Sequence, residues 1–93
     1  MIRVAPEIEK QIIRLHLEQG RTQKSLADEY GLSTNVVGRI ISNYRKECRD
    51  NAKEAENLRL MEENRRLREQ NAELLKETEF LKKAAAFFAR ENQ

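Results

Sequence analysis

The chain has 93 residues, of which 39% are apolar and 37% charged, and its net charge is +2. This length allows one small domain, or a small domain with an extended element, and the composition excludes a large globular core. Richness in Ala, Glu, Lys, Leu and Arg is typical of long helices, so we predict an all-α protein.

The first predicted helix begins at Pro6, because the missing N–H of proline does no harm in a first turn. Gly20 is expected to end it. We expect one face of this helix to cover a small core, with His16 at the edge. The apolar residues at helical spacing are Ile8, Ile12 and Leu15, with Ile13 and Leu17 beside them.

Two further helices are predicted close together around Gly31, which lies where a left-handed residue closes a helix. Thr22 can cap a helix over roughly residues 23–30, and Ser33 can cap the next one. The inward face of that third helix is predicted to contain Val37, Ile40, Ile41 and Tyr44. Small Ala27, the glycine four residues later and the aliphatic residues after it form the pattern of a DNA-binding helix-turn-helix.

The third helix would then be the recognition helix. Gly38 within it costs about 1 kcal/mol relative to Ala, which a close approach to the DNA backbone or to helix two would explain. Arg can bind guanine and Asn can bind adenine in the major groove. The predicted base-reading residues are Thr34, Asn35, Arg39, Ser42 and Asn43.

Phosphate contacts are predicted from the basic residues near this helix, namely Lys24, Arg45, Lys46 and Arg49. Residues 1–49 carry nine Lys/Arg against six Asp/Glu, whereas residues 50–93 carry nine against ten. The basic excess therefore follows the recognition helix and favours a DNA interface. The alternative is a small helical bundle with an ordinary solvated face.

The sequence pattern changes near residue 50. We therefore predict a helix-turn-helix domain over residues 1–49 and an oligomerisation helix over residues 50–93. Asn51 and Glu54 have the spacing of a capping box, so a new helix can start there. Alternatively, the third helix continues without a break.

The second half carries a seven-residue repeat that predicts a leucine-zipper coiled coil. Its d positions are Leu60, Leu67, Leu74, Leu81 and Phe88, and its a positions are Asn57, Asn64, Asn71, Thr78 and Ala85. Asparagine at a favours a parallel dimer in one register at a cost in stability. We therefore expect a homodimer through the zipper.

Charges beside the seam support the parallel arrangement, because Glu63 would face Arg68 of the second copy and Glu77 would face Lys82. Met61 and Leu75, at e positions, widen the seam and leave a higher oligomer open. Phe80 and Phe87 both fall at outer c positions. They indicate either a further contact surface or a helix that frays after Leu81.

No catalytic or metal site is predicted. The chain has one histidine and one cysteine, and its carboxylates lie on solvated helix faces without a nucleophile–base pair. We expect no cofactor and no small-molecule ligand. The single Cys48 excludes a disulfide framework and favours a reducing cytosol. No stretch has the length of a membrane span and no leader is recognisable, so we expect a cytoplasmic protein without a membrane partner.

Two segments, "GRTQKSLADEYGLSTNVVGRIISNYRKEC" (20–48) and "LRLMEENRRLREQNAELLKETEFLKKAAAFFA" (58–89), together resemble a known family. They resemble the short first-frame protein (OrfA) of two-frame bacterial insertion-sequence transposases, often called the IS three family. The ending "LKKAAAFFA" is similar to the typical closing segment of that family. The chain departs from the pattern of this family at one position: such proteins often carry tryptophan late in the recognition helix, where this chain has Ile40.

The resemblance implies binding to the terminal inverted repeats of the element and multimerisation through the zipper. It also implies a separate acidic-triad catalytic domain, encoded in a second frame and often joined by ribosomal frameshifting, with which this chain could co-assemble. The chain would then be a DNA-recognition and assembly subunit, or a regulator that competes with the fused transposase. The other hypotheses are a small dimeric helix-turn-helix repressor and a coiled-coil adaptor for proteins.

Overall fold

The structure is a computed structural model that describes residues 4–91, so the outer ends of the two predicted units, residues 1–3 and 92–93, lie outside the described residues. Throughout the described range the regular elements are all helices: α1 (Pro6–Leu17), α2 (Gln23–Tyr30), α3 (Thr34–Asp50) and α4 (Ala52–Glu91). The predicted all-α fold, a three-helix helix-turn-helix followed by a long C-terminal helix, is confirmed.

Local capping chemistry determines where the helices of the helix-turn-helix begin and end. The Thr22 hydroxyl accepts a hydrogen bond from the Ser25 amide at 3.1 Å, and the Ser33 hydroxyl accepts one from the Val36 amide at 3.2 Å. Gly31 has φ 67°, a left-handed conformation that closes α2 and that residues with a Cβ rarely adopt. All three predicted boundaries are confirmed.

The three short helices enclose one small apolar core. Its buried residues are Ile12, Leu26, Ala27, Val37, Ile40 and Ile41. Leu17 and Cys48 are also buried, and Ile8, Ile13 and Leu15 are partly buried. The predicted inward faces are confirmed. The inward face of α3 also extends one turn beyond Tyr44 to Cys48, which was not among the predicted core residues.

The helical conformation is interrupted between α3 and α4 at Asn51, whose backbone is extended (φ −130°, ψ 106°). Its side-chain carbonyl accepts hydrogen bonds from the amides of Lys53 and Glu54 at 3.1 and 3.2 Å. Of the two possibilities, a new helix rather than a continuous one is therefore observed. The Glu54 carboxylate does not complete the capping box but accepts a hydrogen bond from the Tyr44 hydroxyl at 3.1 Å.

After the break, α4 folds back along the helix-turn-helix. The Cys48 thiol donates to the carbonyl of Glu54 at 3.4 Å, and Leu58 and Met61 are half-buried. Near the end of this contact, Arg65 lies over Gly20, where an added Cβ would be 3.3 Å from its Nε. We call residues 4–50 the head, residues 52–65 the docked segment and residues 66–91 the distal segment.

The distal segment extends alone, which gives the molecule dimensions of 69 × 31 × 17 Å. It remains helical through Phe80 and Phe87 to Glu91, so the fraying alternative for these two phenylalanines is not observed. Within the described residues, no helix is long and apolar enough to span a membrane.

Candidate nucleic-acid interface

The outward face of α3 carries a line of polar side chains opposite the core. Asn35, Arg39, Ser42 and Lys46 follow one another at intervals of four, three and four residues, which places them along one side of a helix. All four are exposed, as are Thr34 and Asn43 beside them. Guanidinium, amide and hydroxyl groups in such a line can reach base edges in a major groove.

On one side of this line, Arg39 and Asn43 border a cleft of about 350 Å³ between α3 and α1. The cleft also contains the carboxylates of Glu9 and Glu47. These negative charges repel phosphate, so the side of α3 that faces α1 is the less favourable one for a DNA backbone. Glu47 belongs to α3 itself, whereas Glu9 comes from a different helix and could not be placed here from its spacing in the sequence.

On the other side of the line, α3 lies against the N-terminus of α2. A Cβ added to Gly38 would be 3.2 Å from the side-chain oxygen of Gln23. The close approach to helix two, one of the two predicted reasons for a glycine here, is therefore observed. Lys24 follows Gln23 in the first turn of α2 and is exposed.

The four predicted phosphate-binding residues differ in their surroundings. Lys24, Lys46 and Arg49 are exposed and form no ion pair with any residue of the range 4–91. Arg45 instead lies 3.3 Å from the carboxylate of Glu62 on α4, and both side chains are about half-exposed. No local spacing rule could have indicated this pair, because its members are 17 residues apart.

The polar groups at the turn between α1 and α2 have structural roles. Nδ1 of His16 donates to the carbonyl of Arg21 at 2.7 Å, and the Arg21 guanidinium contacts Ser25 and Glu29. His16 is therefore engaged in closing this turn. Among the described residues, no group of three His, Cys, Asp or Glu side chains could hold a metal ion.

Tyr44 connects α3 to α4 through its hydroxyl group. Burial, followed by hydrogen bonds with Cys48 and Glu54, raises the pKa of Tyr44. Its hydroxyl is therefore neutral at physiological pH and remains a hydrogen-bond donor to Glu54. This contact joins the recognition helix to the first turn of α4.

A second candidate surface is the seam of α4. The predicted oligomerisation residues Asn57, Leu60, Asn64, Leu67, Asn71, Leu74, Leu81 and Phe88 follow one face of this helix, and all are exposed. The most covered of its leucines, Leu67, is still 43% exposed. A row of exposed leucines that no element within residues 4–91 covers is typical of a protein-contact surface.

A family model described as Transposase, of helix-turn-helix type (HTH_Tnp_1), matches residues 3–72. The chain belongs to this transposase family. Its helix-turn-helix is a DNA-binding domain, and DNA is therefore a partner of the chain. No curated protein and no solved structure matches the sequence. The matched region includes the head and the docked segment of this transposase protein.

Proposed function

We propose that this chain is the DNA-recognition and assembly subunit of a bacterial insertion-sequence transposase of the first-frame type. It binds the terminal inverted repeats of its element through the head and forms a parallel homodimer through the seam of α4. DNA cleavage and strand transfer belong to a separate acidic-triad domain. The division at residues 49 and 50 into a DNA-binding unit and an oligomerisation unit is part of this proposal.

The observation that carries the proposal is the presence of two separate contact surfaces on one short chain. One is the polar line on α3 with the exposed cations Lys24, Lys46 and Arg49. The other is the stripe of exposed leucines on α4. A dimer with two heads can bind two half-sites of a DNA end, and the second contact gains from effective concentration.

The same seam supports assembly with a fused, full-length transposase, provided that the fusion retains the same α4. Mixed dimers would then contain one catalytic chain and one chain that only binds DNA. An excess of the short chain would compete with the fused chain for DNA ends. All of these steps take place on DNA in the bacterial cytoplasm.

The proposal is tested by titrating the full chain with duplexes copied from the ends of its element, with shuffled duplexes as the control. The three cations Lys24, Lys46 and Arg49, which are unpaired within residues 4–91, predict for two heads a slope of about −5 in a plot of log affinity against log salt concentration. A flat salt response would contradict DNA binding through these residues. Equal affinity for element ends and shuffled DNA, with tight binding only at a promoter, would instead indicate a repressor.

A further inference from the structure

A groove on the surface of the protein borders the N-terminal part of the zipper seam. This groove of about 650 Å³ lies between α1 and the docked segment of α4. Its lining includes Asn57, Leu60 and Asn64 from the seam and Lys10, Ile13 and Arg14 from α1. The lining also contains four carboxylates, of which Glu18 is paired with Arg14 and Glu54 is bonded to Tyr44, whereas the other two belong to Glu9 and Glu47. A helix that pairs with the seam at this level therefore also meets α1.

The head occupies one particular flank of the coiled coil. It packs against Glu54 and Met61 at e positions and against Leu58 and Arg65 at b positions. In a parallel two-stranded coil, the e flank of one helix faces the g flank of the other. By two-fold symmetry the two heads then lie on opposite sides of the coil, and each lies beside the g residues of the other copy.

The seam residues in its lining indicate that the groove receives the helix that pairs with the seam. The g residues Glu63 and Glu77 each have a cation at the matching e position, Arg68 and Lys82. The first g residue, Glu56, would face Met61, which is uncharged and half-buried against its own head. The e position opposite Glu56 therefore provides no positive charge.

The α1 wall of the groove carries a positive charge at Lys10. Its neighbour Arg14 is paired with Glu18 at 3.1 Å, whereas Lys10 forms no ion pair within residues 4–91. Glu56 is exposed and bonded to its own Arg59. A carboxylate has several lone-pair positions and can accept a second donor.

We propose that the groove between α1 and α4 holds the beginning of α4 from a second copy of this chain, with Glu56 of that copy against Lys10. This inference rests on the proposed zipper dimer and extends its interface from the coil onto the head. Each head is thereby held by its own α4 and by the α4 of the other copy. The separation of the two recognition helices, and hence the half-site spacing, is set by both contacts.

The test is sedimentation equilibrium of the full chain with Lys10→Glu. The dimer dissociation constant is expected to rise on the order of tenfold, because two symmetry-related attractive contacts become repulsive. Adding Glu56→Lys to the same chain should bring it back to within about twofold of the wild type. The control is Lys76→Glu, which makes the same charge change at an outer f position and should leave the constant within about twofold.

Cross-linking gives an independent measurement should a variant fold poorly. A zero-length carbodiimide reaction on a mixture of isotopically light and heavy wild-type chains should join Lys10 of one chain to Glu56 of the other. A wild type that is monomeric at every concentration would overturn the zipper dimer and this contact together. A wild-type dimer in which Lys10→Glu behaves like Lys76→Glu, and in which no mixed cross-link forms, would overturn the groove contact alone.

Discussion

The head and the distal segment are built on opposite principles. In the head, Ile12, Leu26 and Val37 are completely buried. In the distal segment, seven large apolar side chains are between 43% and 69% exposed. An isolated helix gains little stability in water without an apolar face to pack. The head therefore forms its core within one chain, whereas the apolar residues of the distal segment remain exposed in a single chain.

The docked segment connects these two regions rigidly. One uninterrupted helix of 40 residues belongs to both, because its first turns pack on the head and its remaining turns carry the exposed seam. Contacts of Leu58 and Met61 with the head fix the direction in which the distal segment leaves it. A change in the distal segment should thus alter assembly while leaving the fold of the head intact.

The largest expected effect comes from truncation after Arg65. This variant retains the docked segment, so the head should remain folded, but it loses the distal seam and becomes a monomer. Its affinity for a full inverted repeat should fall on the order of a hundredfold or more, because two tethered heads become two independent ones. Sedimentation and fluorescence anisotropy on the same samples measure both changes.

The control is truncation after Asn57, which also removes Leu58, Met61 and Arg65. That variant should unfold at a lower temperature than the one ending at Arg65, because the apolar surface buried by Leu58 and Met61 is lost. Comparison of the two melting curves separates loss of assembly from loss of folding. A head ending at Arg65 that stayed dimeric would contradict the role of the distal segment.

Replacement of Asn64 and Asn71 with Ile should stabilise the dimer and loosen its specificity. Four new aliphatic side chains enter the seam, and full burial of each contributes roughly 1.5 to 3 kcal/mol. The penalty on shifted registers and additional strands disappears with the asparagines. Thermal unfolding should show a higher midpoint, and sedimentation should show species larger than a dimer.

The matched control is Glu73→Ile, which places the same side chain on the outer face of the coil. It should leave the unfolding midpoint nearly unchanged, because that side chain gains no burial. A double Ile variant that remained strictly dimeric would mean that the asparagines do not set the oligomeric state. An equal rise of the unfolding midpoint in the control and in the double variant would mean that Asn64 and Asn71 do not lie in the seam.

Much of the head could be predicted from the sequence because its structure is set by local chemistry. Thr22, Gly31 and Ser33 each act on residues within five positions in the chain. The docked segment could not be predicted in this way. Leu58 and Met61 lie off the a and d positions, so the heptad pattern assigned no core role to Leu58 and only a widened seam to Met61.

The polar line on α3 could be predicted from its spacing alone, but its surroundings could not. Glu9 reaches the neighbourhood of Arg39 from α1, and Glu62 reaches Arg45 from α4. Both contacts depend on how helices that are distant in the sequence pack together. Counting charges along the chain does not give this packing. The sequence therefore predicted the exposed polar groups of α3 and missed the carboxylates that lie near them.

Within the head, we expect Arg39 and Lys46 to contribute to DNA binding in different ways, although both are exposed on the same line of α3. Arg39→Ala should cost roughly 1 to 3 kcal/mol on the specific site and relax the preference at one base pair. Lys46→Ala should weaken binding to all sequences by similar factors and flatten the salt slope by about one per head. Anisotropy titrations with specific and shuffled duplexes distinguish these outcomes. If Arg39→Ala reduced both affinities equally, Arg39 would be a phosphate contact only.

The smallest expected effect lies at the joint between the two regions, where Glu62 of α4 holds Arg45 of α3 at 3.3 Å. An ion pair between half-exposed groups contributes little to stability, so Glu62→Gln should leave the melting temperature of the head almost unchanged. The substitution removes a negative charge beside the recognition helix and releases a guanidinium group for phosphate. Affinity for DNA should therefore increase a few-fold at low salt, with a steeper dependence on salt concentration.

The control for this variant is Glu73→Gln, which makes the same charge change in the distal segment, away from the head. A gain seen with Glu62→Gln and absent from Glu73→Gln would mean that the docked segment restrains DNA binding by the head. Equal gains in DNA affinity from both variants would mean that the effect comes from net charge alone. No gain from Glu62→Gln would mean that Arg45 lies outside the DNA interface. Since Arg45→Ala in the Glu62→Gln background should abolish the gain, the double variant identifies the guanidinium group as its source.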